Sequence, residues 1–343
     1  MKRLVRRRRR GFRTLSNGKF GQQVCQEDAE ACGNARRFSA IENDVTALII
    51  STVYRMSSKN ISISLVVATL GRSSELERLF QSLNNQERSD FEVIVVDQNA
   101  DNRLEGLNQR EWPFEVNWIR RPDIRGLSRA RNIGWKAARG ELVIFPDDDC
   151  WYPPWLLSRG VDLLLAKQAD VLTGRAADER GQDINGRYAQ DPHGINRSNV
   201  WISGIEWVML FRKSALIAVG GFDEDVGVGA SSPWQACEGQ EILLRALDKG
   251  LRCQFEPAFY GHHSRFDEIP AKAMQTKGRA YGRGLGYVLR LHHYGYVAAA
   301  NWIGRPLIRV ILSAVKADWS SCAYFFNVSL GRLEGYIGRT LAL

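Results

Sequence analysis

The chain has no long apolar run. Its longest uncharged stretch near the carboxyl end, Leu291 to Gly304, holds two His, an Asn and two Gly. That is too short and too polar to span a bilayer. The arginine-rich start is not followed by an apolar segment, so it does not read as a secretory signal. The six Cys, at 25, 32, 150, 237, 253 and 322, form no C-x-x-C pair and no metal-ligand spacing. Reduced thiols in a cytosolic compartment fit that pattern better than a disulfide frame. No G-x-G-x-x-G follows the first strand-like segment, and no G-x-x-x-x-G-K-[ST] occurs, so neither Rossmann dinucleotide binding nor P-loop chemistry is supported. No internal repeat is visible.

Charge is unevenly placed. Of the net +9, residues 1–13 carry +8 and residues 278–343 carry +6, which leaves −5 for 14–277. An acidic body argues against nucleic acid as a partner. A basic run at either end suits a solvated tail or an anionic membrane face.

Three parts follow from composition and periodicity. Residues 1–58 read as a basic, disordered tail and linker. Residues 59–268 alternate strands and helices. Residues 269–343 are aromatic, basic and helical in pattern. At 343 residues the chain can bury a large core.

In the middle part, Ile61 to Val67 reads as a buried strand, and Thr69-Leu-Gly-Arg72 turns the chain. Ser74-Glu-Leu-Glu77 resembles a capping box, after which Leu76, Leu79, Phe80 and Leu83 fall at helical spacing. Phe91 to Val96 is a second strand, ended by Asp97. Val116 to Ile119 is a third, short one. Ser128 to Ala138 suits a helix. Leu142 to Phe145 runs into three consecutive acids, Asp147, Asp148 and Asp149. A strand-helix-strand rhythm with β-branched runs predicts an α/β fold with a parallel sheet. The carboxyl ends of such strands face one crevice, so Asp97 and the Asp147–Asp149 run meet there. Carboxylates gathered at a sheet edge suit a hard divalent cation and the diphosphate it would bridge.

The order of these motifs resembles the family 2 glycosyltransferases, which have the GT-A nucleotide-diphospho-sugar fold. VVATLGR (66–72) is similar to the family's opening strand and T-x-x-R turn. VIVVDQNA (93–100) is similar to the strand ending in a nucleoside-binding aspartate, with Gln98 where a second acid often stands. GLSRARNIGWKAARGELVIFPDDD (126–149) resembles the ARN turn and the strand into a D-x-D, here Asp147-Asp148-Asp149. GGFDE (220–224) and EGQEILLRALDKG (238–250) resemble the Gly-rich stretch and the acceptor-side helix. The resemblance covers roughly 61–268. YGRGLGYVLRLHHY (281–294) and GRLEGYIGR (331–339) are similar to the tail of a bacterial subgroup that builds surface polysaccharides.

The resemblance implies a mostly parallel, Rossmann-like sheet with helices on both faces and a helical extension. It implies an inverting, metal-dependent sugar transfer from a nucleotide-diphospho-sugar to a hydroxyl of a saccharide or lipid-linked acceptor. Thr69, Arg72, Asp97, Arg131, Asn132, Asp147 and Asp148 would bind the nucleotide-sugar. Asp149, with Asp147 and a histidine, would hold Mn2+ or Mg2+; His263 is favoured over its neighbour His262. The family's acidic pair reads Glu238-Gly239 here, so Glu238 is the first candidate for the general base and Glu241 the second. Trp234 is either an acceptor-stacking ring or a core residue. The extension would sit on an anionic membrane, on the cytosolic face of the inner membrane.

Other readings are a nucleotidyltransferase of related fold and a non-catalytic relative. ATLGRSSE is a poor match to a nucleotidyltransferase loop, and no Q-x-x-R-W motif of a processive synthase is present.

Overall fold

Strand β1 (Ile63–Thr69) is buried along its whole length, which explains its unbroken apolar run. It pairs in parallel with β2 (Phe91–Asp97) and with β4 (Leu142–Ile144), and β2 pairs in parallel with β3 (Glu115–Arg120). The sheet continues through β8 (Met209–Arg212), β6 (Val171–Ala177), β9 (Cys253–His263) and β5 (Cys150–Trp151), in the order β3-β2-β1-β4-β8-β6-β9-β5. The short β7 (His193–Gly194) pairs with β9. Strand β8 runs antiparallel to both its neighbours, so six of the nine strands share one direction and β5, β7 and β8 oppose it. The expectation of a mostly parallel sheet holds, with the reversal at β8 unforeseen.

The structure is a computed structural model, and it describes residues 61–264 and 271–342. The tail expected over 1–58 lies outside the described residues. Everything described belongs to one compact unit.

Helices cover both faces. Leu76, Leu79, Phe80 and Leu83 of α1 (Ser74–Asn84) and Leu156, Leu157 and Leu164 of α4 (Leu156–Ala166) bury against Leu65, Val67, Val93 and Val95. Trp135 of α3 (Leu127–Ala137), Leu216 of α5 (Lys213–Val219) and Ile242 of α6 (Glu238–Asp248) bury against Val66, Ile94 and Val143. The period-2 alternation of β1 and β2 therefore divides between two cores. A single-turn helix, α2 (Glu105–Asn108), lies between β2 and β3. The capping box expected at Ser74–Glu77 does not form. The helix begins one residue earlier, Ser73 caps it without a side-chain hydrogen bond, and the Ser74 hydroxyl instead donates to Glu75.

The extension is three helices, α7 (Ala271–Leu291), α8 (Tyr296–Val315) and α9 (Trp319–Ile337). Helices α7 and α9 touch backbone to backbone. A methyl at Gly331 or Gly335 would collide with the carbonyls of Arg279 and Arg283, and one at Gly286 with that of Arg332. Between them Glu334, fully buried, accepts from Arg279 (2.6 Å) and Arg283 (2.6 Å). Helix α8 carries Pro306, which cannot donate to the carbonyl of Trp302. Arg332 of α9 donates to that carbonyl at 2.5 Å instead. Helix α7 also abuts the loop before α6, since a methyl at Gly284 would collide with the Ala236 carbonyl.

Candidate active site

Three strand ends converge. Thr69 lies opposite Asp97 in the β1–β2 register, and Ala68 bridges to Asp147 just beyond β4. Asp97 is buried, and its Oδ1 accepts from the backbone and side-chain nitrogens of Asn99 at 2.8 and 2.7 Å. Asn99 in turn accepts from the Gly71 amide at 2.6 Å, which ties the Thr69–Arg72 turn to the end of β2.

Asp149 meets His263 because β5 runs antiparallel to β9, with Cys150 opposite His263. His263 Nε2 is 3.1 Å from Asp149 Oδ1. Arg72 Nη2 is 2.6 Å from Asp149 Oδ2, and the same guanidinium pairs with Asp148. Burial works against the Asp149 charge, but His263 and Arg72 outweigh it and hold the carboxyl below the usual range. Burial likewise opposes protonation of His263, and Asp149 overrides it and raises the imidazole. Asp148 is raised by burial, against the pull of Arg72. His262 points elsewhere: it is buried, with Nδ1 3.0 Å from the Ala177 carbonyl. Among the described residues, no three His, Cys, Asp or Glu side chains are already gathered to hold a metal ion.

A second acid cluster surrounds Arg131. Its side chain is 0% exposed, with Nη2 2.8 Å from Asp147 and Nη1 3.8 Å from Glu238. Glu206, which the sequence reading missed, belongs to the same group. Burial pushes Asp147 up to about 7, with Arg131 opposing and Glu206 reinforcing the shift. Burial also pushes Glu206 up to about 7, with Glu238 reinforcing. Glu238 is raised by burial, against Arg131. Three acids share one guanidinium, so burial and mutual repulsion disfavour full ionisation of all three. No motif in the sequence marks Glu206: it stands just before β8, and only the reversal of that strand in the sheet brings it to the edge where its parallel neighbours end.

Glu238 is held in place by strain and by close packing. Cys237, the cap of α6, has φ +73°, a left-handed value that costs a non-glycine residue energy. Gly227 leaves room for the Glu238 side chain, since a methyl there would sit 3.1 Å from its carboxyl carbon.

Three of the expected site residues are engaged by other side chains or backbone of the protein. Asn132 is buried; its amide donates to the Phe222 carbonyl (2.9 Å) and to Glu224 (3.1 Å) and accepts from the Phe222 amide (2.8 Å) and Trp135 (3.1 Å). Its hydrogen-bonding capacity is taken up by Phe222 and Glu224 of the Gly-rich loop and by Trp135 of its own helix. Trp234 is buried and stacked on Tyr287, with ring centroids 4.7 Å apart, so core packing accounts for it. Glu241 accepts twice from Arg245, at 2.7 and 2.6 Å, and lies 3.4 Å from His292. It borders a separate cavity of about 740 Å3 with Arg197, Arg245, Asp248 and His292.

A cavity of about 320 Å3 lies between the loop before α6 and helices α7 and α9, lined by Asn185, Cys237, Lys277, Tyr281, Tyr324 and Arg332. The fields of Glu238, Glu206 and Asp147 reach Tyr281, and that of Asp149 reaches Lys277, so this cavity adjoins both acid groups.

Residues 64–217 match the family described as Glycosyl transferase family 2. The match spans 154 of the 343 residues, just under half of the chain. An uncharacterized glycosyltransferase of Haemophilus influenzae is 34% identical over 92 residues, 26% of this chain and 31% of that protein. A GalNAc(5)-diNAcBac-PP-undecaprenol beta-1,3-glucosyltransferase of Campylobacter jejuni is 25% identical over 166 residues, 45% of this chain and 52% of that protein. The chain thus spans about a third to a half of the length of these two relatives. The mannosyltransferase PcManGT of Pyrobaculum calidifontis, solved with GDP-Man and Mn2+, superposes with TM-score 0.55 at 13% identity, over 89% of this chain and 99% of that one. At that identity the likeness shows the GT-A fold and nothing finer.

Proposed function

We propose that this chain transfers a sugar from a nucleotide-diphospho-sugar to a hydroxyl of a saccharide or lipid-linked saccharide, with inversion, in the assembly of a cell-surface polysaccharide. The observation that carries the reading is the meeting of Asp97, Asp147 and Asp149 at one sheet edge, with His263 3.1 Å from Asp149. Asp97 would accept from the nucleoside, beside Thr69. Arg72, now paired with Asp148 and Asp149, would turn toward the diphosphate. The pairing of Asp149 with Arg72 and His263 is what a carboxylate aimed at a cation adopts when side chains stand in for it. Carboxylate oxygen and imidazole nitrogen suit Mn2+, and Mg2+ less well. A divalent ion held by Asp149 and His263 would supply counter-charge to the leaving diphosphate.

The acceptor hydroxyl attacks the anomeric carbon from the face opposite the diphosphate. As that bond forms, the bond from carbon to diphosphate oxygen breaks, and its electron pair leaves with the nucleotide. The hydroxyl proton passes to a carboxylate of the group around Arg131. The adjoining cavity of about 320 Å3, with Tyr281 and Tyr324 in its wall, suits the acceptor sugar.

An acceptor tethered to lipid would be met at the cytosolic face of the inner membrane. Helix α8 supports this. At about 100° per residue, Tyr296, Val297, Leu307, Ile308, Ile311, Leu312 and Val315 span roughly 160° of arc. All seven are exposed, Val297 at 87%, Ile311 at 66% and Val315 at 82%. That arc bears no charge, and Arg305, Arg309 and Lys316 flank it on one side. Ala299 and Pro306, both buried, mark the packed side. A helix with its apolar face outward and a basic rim lies in an anionic headgroup layer. Among the described residues no helix is long and apolar enough to cross a membrane, so α8 would lie on the surface.

The deciding experiment is calorimetry of UDP and GDP with and without Mn2+. Wild type should bind one of them more tightly with the ion, and Asp149→Ala should lose that gain. Equal affinity of the variant with Mn2+ present refutes the D-x-D reading.

A further inference from the structure

We infer that Glu206 is the general base of the transfer, delivered from outside α6 to the place where residue 239 lacks a side chain. The inference rests on the sugar-transfer reading and names the residue that takes the proton. Gly239 is the second residue of α6, next to Glu238. A Cβ placed on it would lie 3.0 Å from Glu206 Cβ, 3.1 Å from Glu206 Oε2 and 3.2 Å from Met209 Cε. Those contacts are tighter than ordinary van der Waals separation, so an acid at 239 would crowd the present Glu206, which would have to shift by a few tenths of an ångström. The space beside the head of α6 already holds a carboxylate, and it comes from Glu206.

Topology explains how it arrives. Strand β8 runs antiparallel to β4, so the residues before Met209 emerge at the edge where the parallel strands end. Asp147 and Glu238 of the same group are less free to accept. Asp147, itself 23% exposed, is bonded to Arg131 at 2.8 Å, and Glu238 is 3% exposed beside the same guanidinium, whereas Glu206 combines partial access to solvent with its place over Gly239. In the transfer the acceptor oxygen bonds to the anomeric carbon, the nucleoside diphosphate departs with the electron pair of the broken bond, and the acceptor proton goes to a Glu206 carboxylate oxygen.

The test moves the carboxylate from one position to the other. Wild type, Glu206→Gln, Glu206→Ala and Glu206→Ala/Gly239→Asp are compared for nucleoside diphosphate release from a panel of UDP- and GDP-sugars with Mn2+. Nucleotide affinity is measured by calorimetry on the same samples. Glu206→Gln should slow release by about 10²–10⁴-fold with UDP or GDP affinity unchanged. The double variant should recover at least about tenfold over Glu206→Ala, since it restores one acid to the same space. Full activity of Glu206→Gln, or no recovery in a folded double variant, overturns the inference. If wild type binds neither nucleotide, the sugar-transfer reading fails, and melting temperatures still decide the geometry. Gly239→Asp should lower the melting temperature of wild type more than that of Glu206→Ala; an equal drop in both backgrounds overturns the placement of Glu206.

Discussion

Replacing Ile308 and Ile311 with Asp should release the protein from anionic vesicles, and the size of the effect follows from the exposed face of α8. Burying an Ile side chain from full exposure is worth about 1.5–3 kcal/mol. Ile308 is 61% exposed and Ile311 66%, so each still has about two thirds of that to gain from lipid, about 1–2 kcal/mol. Losing both removes about 2–4 kcal/mol, a fall of about 30- to 1,000-fold in partition coefficient before any cost of inserting two carboxylates. Arg305, Arg309 and Lys316 add about 1 kcal/mol each at the headgroups. Arg305→Gln/Arg309→Gln should therefore weaken binding by about 30-fold at low salt, and the gap should shrink as salt rises. Flotation with equimolar phosphatidylglycerol and phosphatidylethanolamine measures both variants. Quenching of Trp319 fluorescence by brominated lipid, with Trp319→Phe as the blank, reports depth; that ring is 70% exposed at the start of α9. Unchanged flotation of Ile308→Asp/Ile311→Asp would refute the reasoning and leave the arginine-rich start to account for any binding. A dimer that the substitutions turn into monomer, with flotation intact, would mean that the face seats a second copy.

Asn132→Ala should lower the melting temperature without changing UDP or GDP affinity, because it strands the Phe222 amide and carbonyl in a buried loop at a cost of about 2–4 kcal/mol; a selective loss of nucleotide affinity at constant stability would return Asn132 to the binding site. Glu334→Gln should destabilise the packing of α7 on α9 by about 3–5 kcal/mol, leaving two arginines half-paired, as chemical denaturation would measure. The same residue sets an acid limit. Burial would raise Glu334, but Arg279 and Arg283 prevail and bring it down to about 2. Its folded value lies below its unfolded one, so its stabilisation is complete above about pH 5 and fades as pH falls toward about 2, a loss of about 3 kcal/mol. Glu334→Gln should flatten that limb of the stability–pH curve, and an unchanged limb would assign it to other carboxylates.

The strands were legible because they are buried on both faces: β1, β2 and β4 begin and end within two residues of their apolar runs, and the acids that end them fall where the parallel register puts them. His263 was legible for the same reason, as the residue that closes a strand. The contacts of Glu206 and Asn132 were not, because they depend on partners 32 and 90 residues away: Glu238 for the first and Phe222 for the second. The outward apolar face of α8 was equally hidden. A helical period shows that one face is apolar, but only packing decides which face the fold uses, and here Pro306 and Ala299 take the inside.

The reversed strand β8 is the point where the sequence pattern and the chemistry part. A parallel sheet delivers acids to its crevice only from strand carboxyl ends, which is why Asp97 and Asp147 can be found by reading where apolar runs stop. A strand inserted antiparallel delivers the residue before it starts. Glu206 therefore carries no motif of its own, although it reaches the same crevice and fills the space over Gly239. On the inference above, an acid at the head of α6 would be supplied by a segment 33 positions earlier, and glycine at 239 would leave it room, since a side chain there would press on Glu206 at about 3 Å.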